Sequence, residues 1–313
     1  MKKALILGGG GFAGRYLSAC LRAAGQWQVA VTGTSAPPSG VDCDESFALN
    51  VLDAKAVKKL LRDYAPDGVF HLAAQSSAAR SWQEPGLTVD VNIRGTVNVL
   101  EAAREAEKPP RVLLVGSSEE YGTVSPEDCP IREEQPLRPG NPYALSKVSQ
   151  EMLGRLYAEA YGLDVISVRA FNHIGPGQSE GFALSDFCRQ TALIEKGRGE
   201  NVISVGNLSA RRDFTDVRDV VRAYVLLMEK GQGGEVYNVG SGSDHSMREI
   251  LDMILSLSER EIRVEIDPER FRPLDAPLNV ADVTKLREAT GWRPEIPLRD
   301  TVCDTLNYWR ERV

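Results

Sequence analysis

KALILGGGGFAGRYLSACLRAAG, residues 3–25, passes from an unbroken apolar run through four consecutive glycines into a stretch with helical periodicity. An apolar run without alternation is how a strand buried on both faces of a parallel sheet reads, so the segment is a strand, a tight turn and a helix. Gly8, Gly11 and Gly14 stand in the pattern GxxGxxG across that junction, with Phe12 and Ala13 between the last two. Glycine there allows positive φ and lets backbone N–H groups approach a pyrophosphate at the helix N-terminus, where the helix dipole favours an anion. A ligand-free strand-to-helix turn needs the same glycines, and the pattern alone does not separate the two. Its place at the first junction of a repeating strand–helix chain does, and it is read as a dinucleotide cradle. No GK[ST] follows, which argues against a phosphate-transfer loop.

The unit recurs downstream. DGVFHLAA (67–74) precedes NIRGTVNVLEAARE (92–105), RVLLVGS (111–117) precedes PYALSKVSQEMLGRLYAEAYG (142–162), and DVISVRAF (164–171) closes the series. Apolar strands alternating with amphipathic helices predict an α/β, Rossmann-like doubly wound parallel sheet covered on both faces. Beyond Ala170 the texture changes to NHIGPGQSEGF and polar helices, with a strand-like return at GEVYNVGS (234–241). The expected organisation is a dinucleotide-binding domain over 1–169, rejoined by about 213–241. A smaller, discontinuous C-terminal substrate lobe would take 170–212 and 242–313.

The 313 residues are 42% hydrophobic, enough to bury a sizeable core. A formal charge of −7 with no long Lys/Arg run argues against a surface for nucleic acid or anionic lipid and favours small-molecule partners. The five cysteines, Cys20, Cys43, Cys129, Cys188 and Cys303, are odd in number and show no CxxC spacing. Neither a disulfide framework nor a metal site is indicated, and a reducing cytoplasm is the expected compartment. The apolar stretch after MKK gives way to glycines too early for a signal peptide, and no run approaches the roughly 18 apolar residues of a membrane span.

Cofactor type is read after the second strand, WQVAVTGTS (27–35). An acidic residue there would bind the ribose 2′-hydroxyl of NAD(H), and an arginine would pair with the 2′-phosphate of NADP(H). Thr32, Gly33, Thr34 and Ser35 offer neither. Small hydroxyls tolerate the phosphate without clamping it, so the loop leans to NADP(H) with NAD(H) open. In LNVLD (49–53), Asn50 and Val51 can frame an adenine, and Asp53 reads as the cap of the next helix.

NPYALSK places Tyr143 and Lys147 four residues apart on one helix face, roughly 5–6 Å apart at Cβ. A free phenol with a pKa of about 10 is a poor acid–base group at neutral pH. A nearby ammonium is expected to lower that value, and such a pair can move a proton at an alcohol oxygen. The same spacing also arises in any amphipathic helix with a half-buried tyrosine and an exposed lysine.

Together, GGGGFAG, HLAAQSS (71–77), NIRGTVNVLEAA, SSEEYG (117–122), PYALSK, RAFNHIGPGQ (169–178) and RRDFTDVRDV (211–220) make the chain resemble the extended short-chain dehydrogenase/reductases that act on nucleotide sugars. The resemblance covers nearly the whole chain. Within that epimerase/dehydratase family it is closest to GDP-4-keto-6-deoxy-D-mannose reductases, with GDP-mannose 4,6-dehydratases as near relatives. It implies a catalytic triad of Ser117, Tyr143 and Lys147, in which the two hydroxyls bind the sugar C4 oxygen and Lys147 also holds the nicotinamide ribose. Leu72, Ala73 and Ala74 would face the cofactor, while Gln75, Ser76 and Ser118 would approach the hexose. His71 is assigned no role, as a satisfied core histidine. Asn92 would support the site through hydrogen bonds, or simply cap a helix.

The resemblance further places Asn172 at the substrate diphosphate or hexose and Arg212 at the diphosphate, a natural partner for a planar guanidinium; Arg211 is read as solvated. Asn207, in GNLS (206–209), would lie in a guanine-contacting segment. In RFRPLDAPL (270–278), Arg272 would bind phosphate and Asp275 the nucleoside ribose. The GDP-sugar branch usually has glutamate at that last position, which leaves the base open. Glu119 falls where related dehydratases carry the base that takes a proton from C5. Dehydratases of the family are usually longer and carry an arginine in the second-strand loop; the absence of both here, and FNHIGPGQ in place of a proline-rich sequence with arginine, favour the reductase. A 4,6-dehydratase or epimerase is the alternative, and a non-catalytic nucleotide-sugar sensor is the reading from another class. TVNVLEAAREA (96–106) and SQEMLGRLYAEAYG (149–162) supply faces for a homodimer built on a four-helix bundle.

Overall fold

The computed structural model describes residues 1–271 and 276–313. In chain order the first half runs Lys2–Leu7 (β1), Phe12–Ala23 (α1), Trp27–Gly33 (β2), Glu45–Ala48 (β3), Ala54–Tyr64 (α2), Gly68–His71 (β4), Ala78–Gln83 (α3), Pro85–Val89 (α4), Gly95–Arg104 (α5), Arg111–Val115 (β5), Pro142–Tyr161 (α6) and Val165–Ala170 (β6). It continues with Asn172–Ile174 (β7), Ala183–Glu195 (α7), Val202–Val205 (β8), Arg211–Asp216 (β9), Val217–Lys230 (α8), Val236–Val239 (β10), Asp244–Ser246 (β11), Met247–Leu255 (α9), Arg263–Ile266 (β12), Leu278–Asn279 (β13), Thr284–Thr290 (α10) and Leu298–Arg310 (α11).

Seven strands form one parallel sheet in the order β10-β6-β5-β4-β1-β2-β3. From Ala4 to Leu7 the side chains of β1 alternate between two buried layers, which is why that stretch is apolar without a break. Ala4 and Ile6 pack with Val220, Tyr224 and Trp292, whereas Leu5 and Leu7 pack with Val57 and Leu100 on the opposite face. Full burial of each such large side chain contributes about 1.5–3 kcal/mol, so the two layers together fix the register of the sheet. This is the doubly wound, Rossmann-like α/β fold that the strand–helix alternation predicts. Strand order reverses between β1 and β4, and the crevice at the carboxyl ends beside that point is where such sheets bind ligands.

After β6 the chain leaves the sheet. β7, β9, β11 and β13 make a small second sheet, β8 pairs with β12, and α7, α9 and α11 share a separate core around Phe187, Ile250 and Leu306. α8 and β10 return to the main sheet, with Val236 beside Ser167. Buried Asp213 ties the layers together by accepting from the backbone N–H groups of Ser241 (2.7 Å), Gly242 (2.9 Å) and Ala281 (3.2 Å). Among the described residues, no helix is long and apolar enough to cross a membrane.

Candidate active site

Three constraints hold the turn after β1 open for a ligand. Gly8 has φ +84°, and a Cβ there would lie 2.8 Å from the Ala73 nitrogen; one on Gly14 would lie 2.6 Å from the Gly8 carbonyl oxygen. α1 then starts at Gly11 with no side chain accepting from its first N–H groups. A cleft of about 970 Å³ runs from this turn across the ends of the central strands into the lobe. Gly8, Gly11, Phe12, Ala13, Gly14, Thr32, Asn50, Val51, Leu72, Ala73 and Ala74 all line it, so the residues present fit a dinucleotide. Asp53 does not; its carboxylate caps α2 by accepting from the Ala56 N–H at 3.0 Å.

No acid lies at the end of β2, and a guanidinium reaches the following loop from α1. Arg15 donates to the carbonyls of Gly10 (3.0 Å), Ser39 (3.2 Å) and Gly40 (3.1 Å). Pro38 of the same loop packs over Gly10, where a Cβ would meet its ring at 2.8 Å. The strand motif contains no sign of this cation, because it comes from the first turn of α1, directly after Gly14.

Ser117, Tyr143 and Lys147 meet on the cleft floor. Ser117 ends β5 as the N-cap of a 3₁₀ turn, Ser118–Tyr121, its Oγ accepting from the Glu119 N–H at 3.2 Å. Asn141 caps α6 through the Ala144 N–H, which fixes the first turn bearing Tyr143. The spacing argument predicts a depressed phenol, and the structure corrects it. Burial, then the negative charge of Glu119, push the Tyr143 phenol well above its ordinary value, against a smaller effect of its hydrogen bond with Ser117. Lys147 is itself 3% exposed and turns Nζ to the Val115 carbonyl (2.6 Å) and Gln150 Oε1 (3.1 Å). Burial brings its ammonium down to about 8, with Glu120 opposing. Glu119 also lines the cleft, its Oε2 accepting from Asn141 Nδ2 at 2.8 Å.

Ser76, Ser118, Asn172, Asn207 and Arg212 line the outer cleft. Arg212 Nη1 is braced by the carbonyls of Arg211 (2.8 Å) and Ala276 (2.6 Å). Arg211, read as solvated, is ion-paired with Asp244 on β11 because antiparallel pairing sets the two strands side by side.

The family described as GDP-mannose 4,6 dehydratase matches residues 5–305. The chain belongs to this family. It is 36% identical over 248 residues to a GDP-6-deoxy-D-mannose reductase of Pseudomonas aeruginosa, covering 79% of this chain and 82% of the relative. Among solved structures it is similar to RMD from Pseudomonas aeruginosa complexed with NADPH, with a TM-score of 0.90, 32% identity and full coverage of both chains. The UDP-glucose 4-epimerase of Thermus thermophilus in complex with NAD follows, with a TM-score of 0.88, 29% identity, and coverage of 99% of this chain and 100% of that one. NADPH and NAD are thus both cofactors of its structural neighbours.

Gln75, expected beside the hexose, is not in the cleft of this family member, and Asn92 stands behind the wall, joined to its neighbours by hydrogen bonds. Asn92 is fully buried in a π-helical turn, Asp90–Arg94, that connects α4 to α5. Its Oδ1 accepts from the Gln75 N–H (2.8 Å), while its Nδ2 donates to the Gln75 carbonyl (3.0 Å) and Ser146 Oγ (2.8 Å). Gln75 in turn spends its side chain on Ser77 and Thr88. Both brace the wall from behind, bridging the 73–77 segment to α6. His71 is buried with its pKa lowered to about 3 by desolvation and then by Lys147; Nε2 meets Thr96, while Nδ1 has no hydrogen-bond partner among the described residues, so it is a core histidine satisfied on one side. Arg272 and Asp275 lie outside the described residues. The sequence reading gave no role to Asp186, Arg270 and Gln178, which line the lobe side of the cleft; Asp186 and Arg270 pair across 84 residues, which no local spacing encodes.

Proposed function

We propose that the protein reduces the 4-keto group of GDP-4-keto-6-deoxy-D-mannose with NADPH. The observation that carries this reading is that the buried Tyr143 meets Ser117 and Lys147 on the floor of the cleft that starts at the glycine turn. A buried phenol held in its acid form beside Ser117 is a proton donor, which ketone reduction needs at the C4 oxygen; alcohol oxidation needs the phenolate instead. NADPH, when bound, supplies the hydride. The glycine turn would take its pyrophosphate, Thr32, Asn50 and Val51 its adenosine, and Leu72, Ala73, Ala74, Tyr143 and Lys147 its nicotinamide half. The absence of an acid after β2 and the presence of Arg15 support NADPH over NADH, as does the NADPH held by RMD of Pseudomonas aeruginosa.

Ser117 and Tyr143 donate to the C4 oxygen, and the Tyr143 proton moves to that oxygen as alkoxide character develops. Lys147 offsets the charge left on the phenolate. Ser76 and Ser118 hold the hexose, Asn172 and Arg212 the diphosphate, with Arg272 and Asp275 expected beyond them. Gln75 and Asn92 act as positioning residues. The residues 170–212 and 242–313 thus serve as the substrate lobe and the rest as the dinucleotide domain, in a chain whose unpaired cysteines suit the cytoplasm.

A dehydratase is the second reading, favoured by Glu119 in the cleft near Tyr143. Incubation with GDP-4-keto-6-deoxymannose and NADPH, then with GDP-mannose and NADP, decides between them. Net NADPH loss with the keto sugar supports the reductase. Loss of water from GDP-mannose without net cofactor change overturns it, and silence in both arms with measurable ligand binding leaves a sensor.

We also propose a homodimer through α6 and the helical run 85–104. Leu145, Met152 and Leu156 on α6 are 53%, 56% and 57% exposed, and Val89 on the adjoining α4 is 44% exposed. Such a stripe on one face fits a second copy of the chain.

A further inference from the structure

We propose that Asp186 reads the nucleobase of the substrate and selects guanine by accepting the N–H donors of its Watson–Crick edge. The inference rests on the nucleotide-sugar reading above. With the hexose at Ser117 and Tyr143 and the diphosphate at Arg212, the base falls at the lobe end of the cleft. That end is walled by Leu184 and Phe187 of α7 and by the backbone at Gly206, where a Cβ would lie 2.8 Å from the Arg270 carbonyl oxygen.

Asp186 lines this slot and is 8% exposed. Its Oδ2 is pinned by Gln190 Nε2 at 2.7 Å and Arg270 Nη1 at 2.9 Å. Oδ1 has only Arg189 Nη2 at 3.6 Å, beyond hydrogen-bond range, and that guanidinium is ion-paired with Glu180 at 2.8 Å. Among the described residues, the carboxylate is therefore oriented through one oxygen and left with an unused acceptor on the other. Guanine presents N1–H and its 2-amino group side by side, so one carboxylate can accept from both. Uracil and thymine present a single N–H flanked by carbonyl oxygens that a carboxylate repels, and adenine has no hydrogen on N1. A partly desolvated charged acceptor disfavours any base that leaves it unpaired.

The test is calorimetric titration of GDP, IDP and UDP into the wild type and Asp186→Asn, with NADPH binding as the check on folding. IDP differs from GDP only by the missing 2-amino group. The wild type is expected to bind GDP roughly tenfold or more tightly than IDP, as loss of a hydrogen bond to a charged group implies, and to bind UDP more weakly than GDP. Asp186→Asn should lose most of that GDP–IDP ratio. Equal losses for GDP and IDP, with the ratio intact, would make Asp186 merely structural and overturn the inference. So would a wild type that ignores the 2-amino group or prefers UDP. If no nucleoside diphosphate binds the wild type while NADPH does, the nucleotide-sugar reading falls too.

Discussion

Glu120 Oε1 accepts the backbone N–H of Ser117 at 2.7 Å from a side chain with no exposed surface. Its Oε2 has no hydrogen-bond partner and stands 4.0 Å from Arg169 Nε, whose guanidinium is taken up by Glu151. Burial, then the charge of Glu151, raise the Glu120 pKa; the Ser117 N–H, Arg169 and Lys147 oppose. A raised folded value means that the folded protein keeps a proton the unfolded chain has released above about pH 4.3, so stability falls as pH rises through that window. Glu120→Gln retains an acceptor and removes the titration. Urea unfolding at pH 5 and pH 8 should show the variant gaining on the wild type as pH rises, and a difference independent of pH would count against the raised value. Glu120→Leu leaves the Ser117 N–H unpaired, at a cost of about 1–3 kcal/mol, and should lower turnover more than NADPH affinity.

Tyr143 and Lys147 should separate in their pH behaviour. Tyr143→Phe is expected to keep NADPH binding and lose roughly 10²–10⁴ in turnover. The phenol stays protonated across the working range, so the alkaline limb belongs to Lys147, which loses its cation above about pH 8. In kcat/KM for the cofactor, which reports the ligand-free protein, activity should fall above that pH. Lys147→Arg, permanently charged, should carry the limb upward even if its rate is low. A limb that stays in place belongs to another group.

Glu119→Gln distinguishes the two sugar chemistries. A dehydratase needs this carboxylate as a base at C5, and the variant would be inactive in water loss. In the reductase the residue only adds charge beside Tyr143. Its removal brings the phenol down, while burial, the larger cause, still holds it in the acid form. Turnover with the keto sugar should therefore change by less than about tenfold, below the roughly 10²–10⁴ that one positioned acid–base group contributes.

The fold was legible because both signals that specify it are local. β1 is apolar from Ala4 to Leu7 since both its faces are buried there, and Gly8 and Gly14 sit where a Cβ would collide with backbone. The pairing of Ser117 with Tyr143 was legible only through resemblance, as the residues come from different units of the fold. What failed depended on three-dimensional surroundings. Tyr143 and Lys147 have the spacing of an acid–base pair, but their proton affinities follow from burial, which spacing does not encode. Gln75 is turned from the cleft by hydrogen bonds to Ser77 and Thr88, and the run HLAAQSS does not announce the second of these partners. Asp186 and Arg270 are 84 residues apart and join only when β12 pairs with β8.

The exposed stripe of α6 also bears on the site. Leu145 lies between Tyr143 and Lys147 in sequence, and Met152 and Leu156 continue its face at seven and eleven residues, the spacing of a helix–helix seam. The same helix therefore holds the acid–base pair on its buried face and the apolar stripe on the other, so dimerisation would clamp the helix that positions Tyr143. Leu156→Glu places like charges at the seam from both copies, a cost of several kcal/mol, which is a weakening on the order of a hundredfold or more. Sedimentation velocity should show the wild type at twice the mass of one chain and the variant at the single mass. The variant should also lose turnover at protein concentrations where it is monomeric. A wild type that sediments as a monomer would remove the dimer, and a monomeric variant with full turnover would show that α6 positions Tyr143 without its partner.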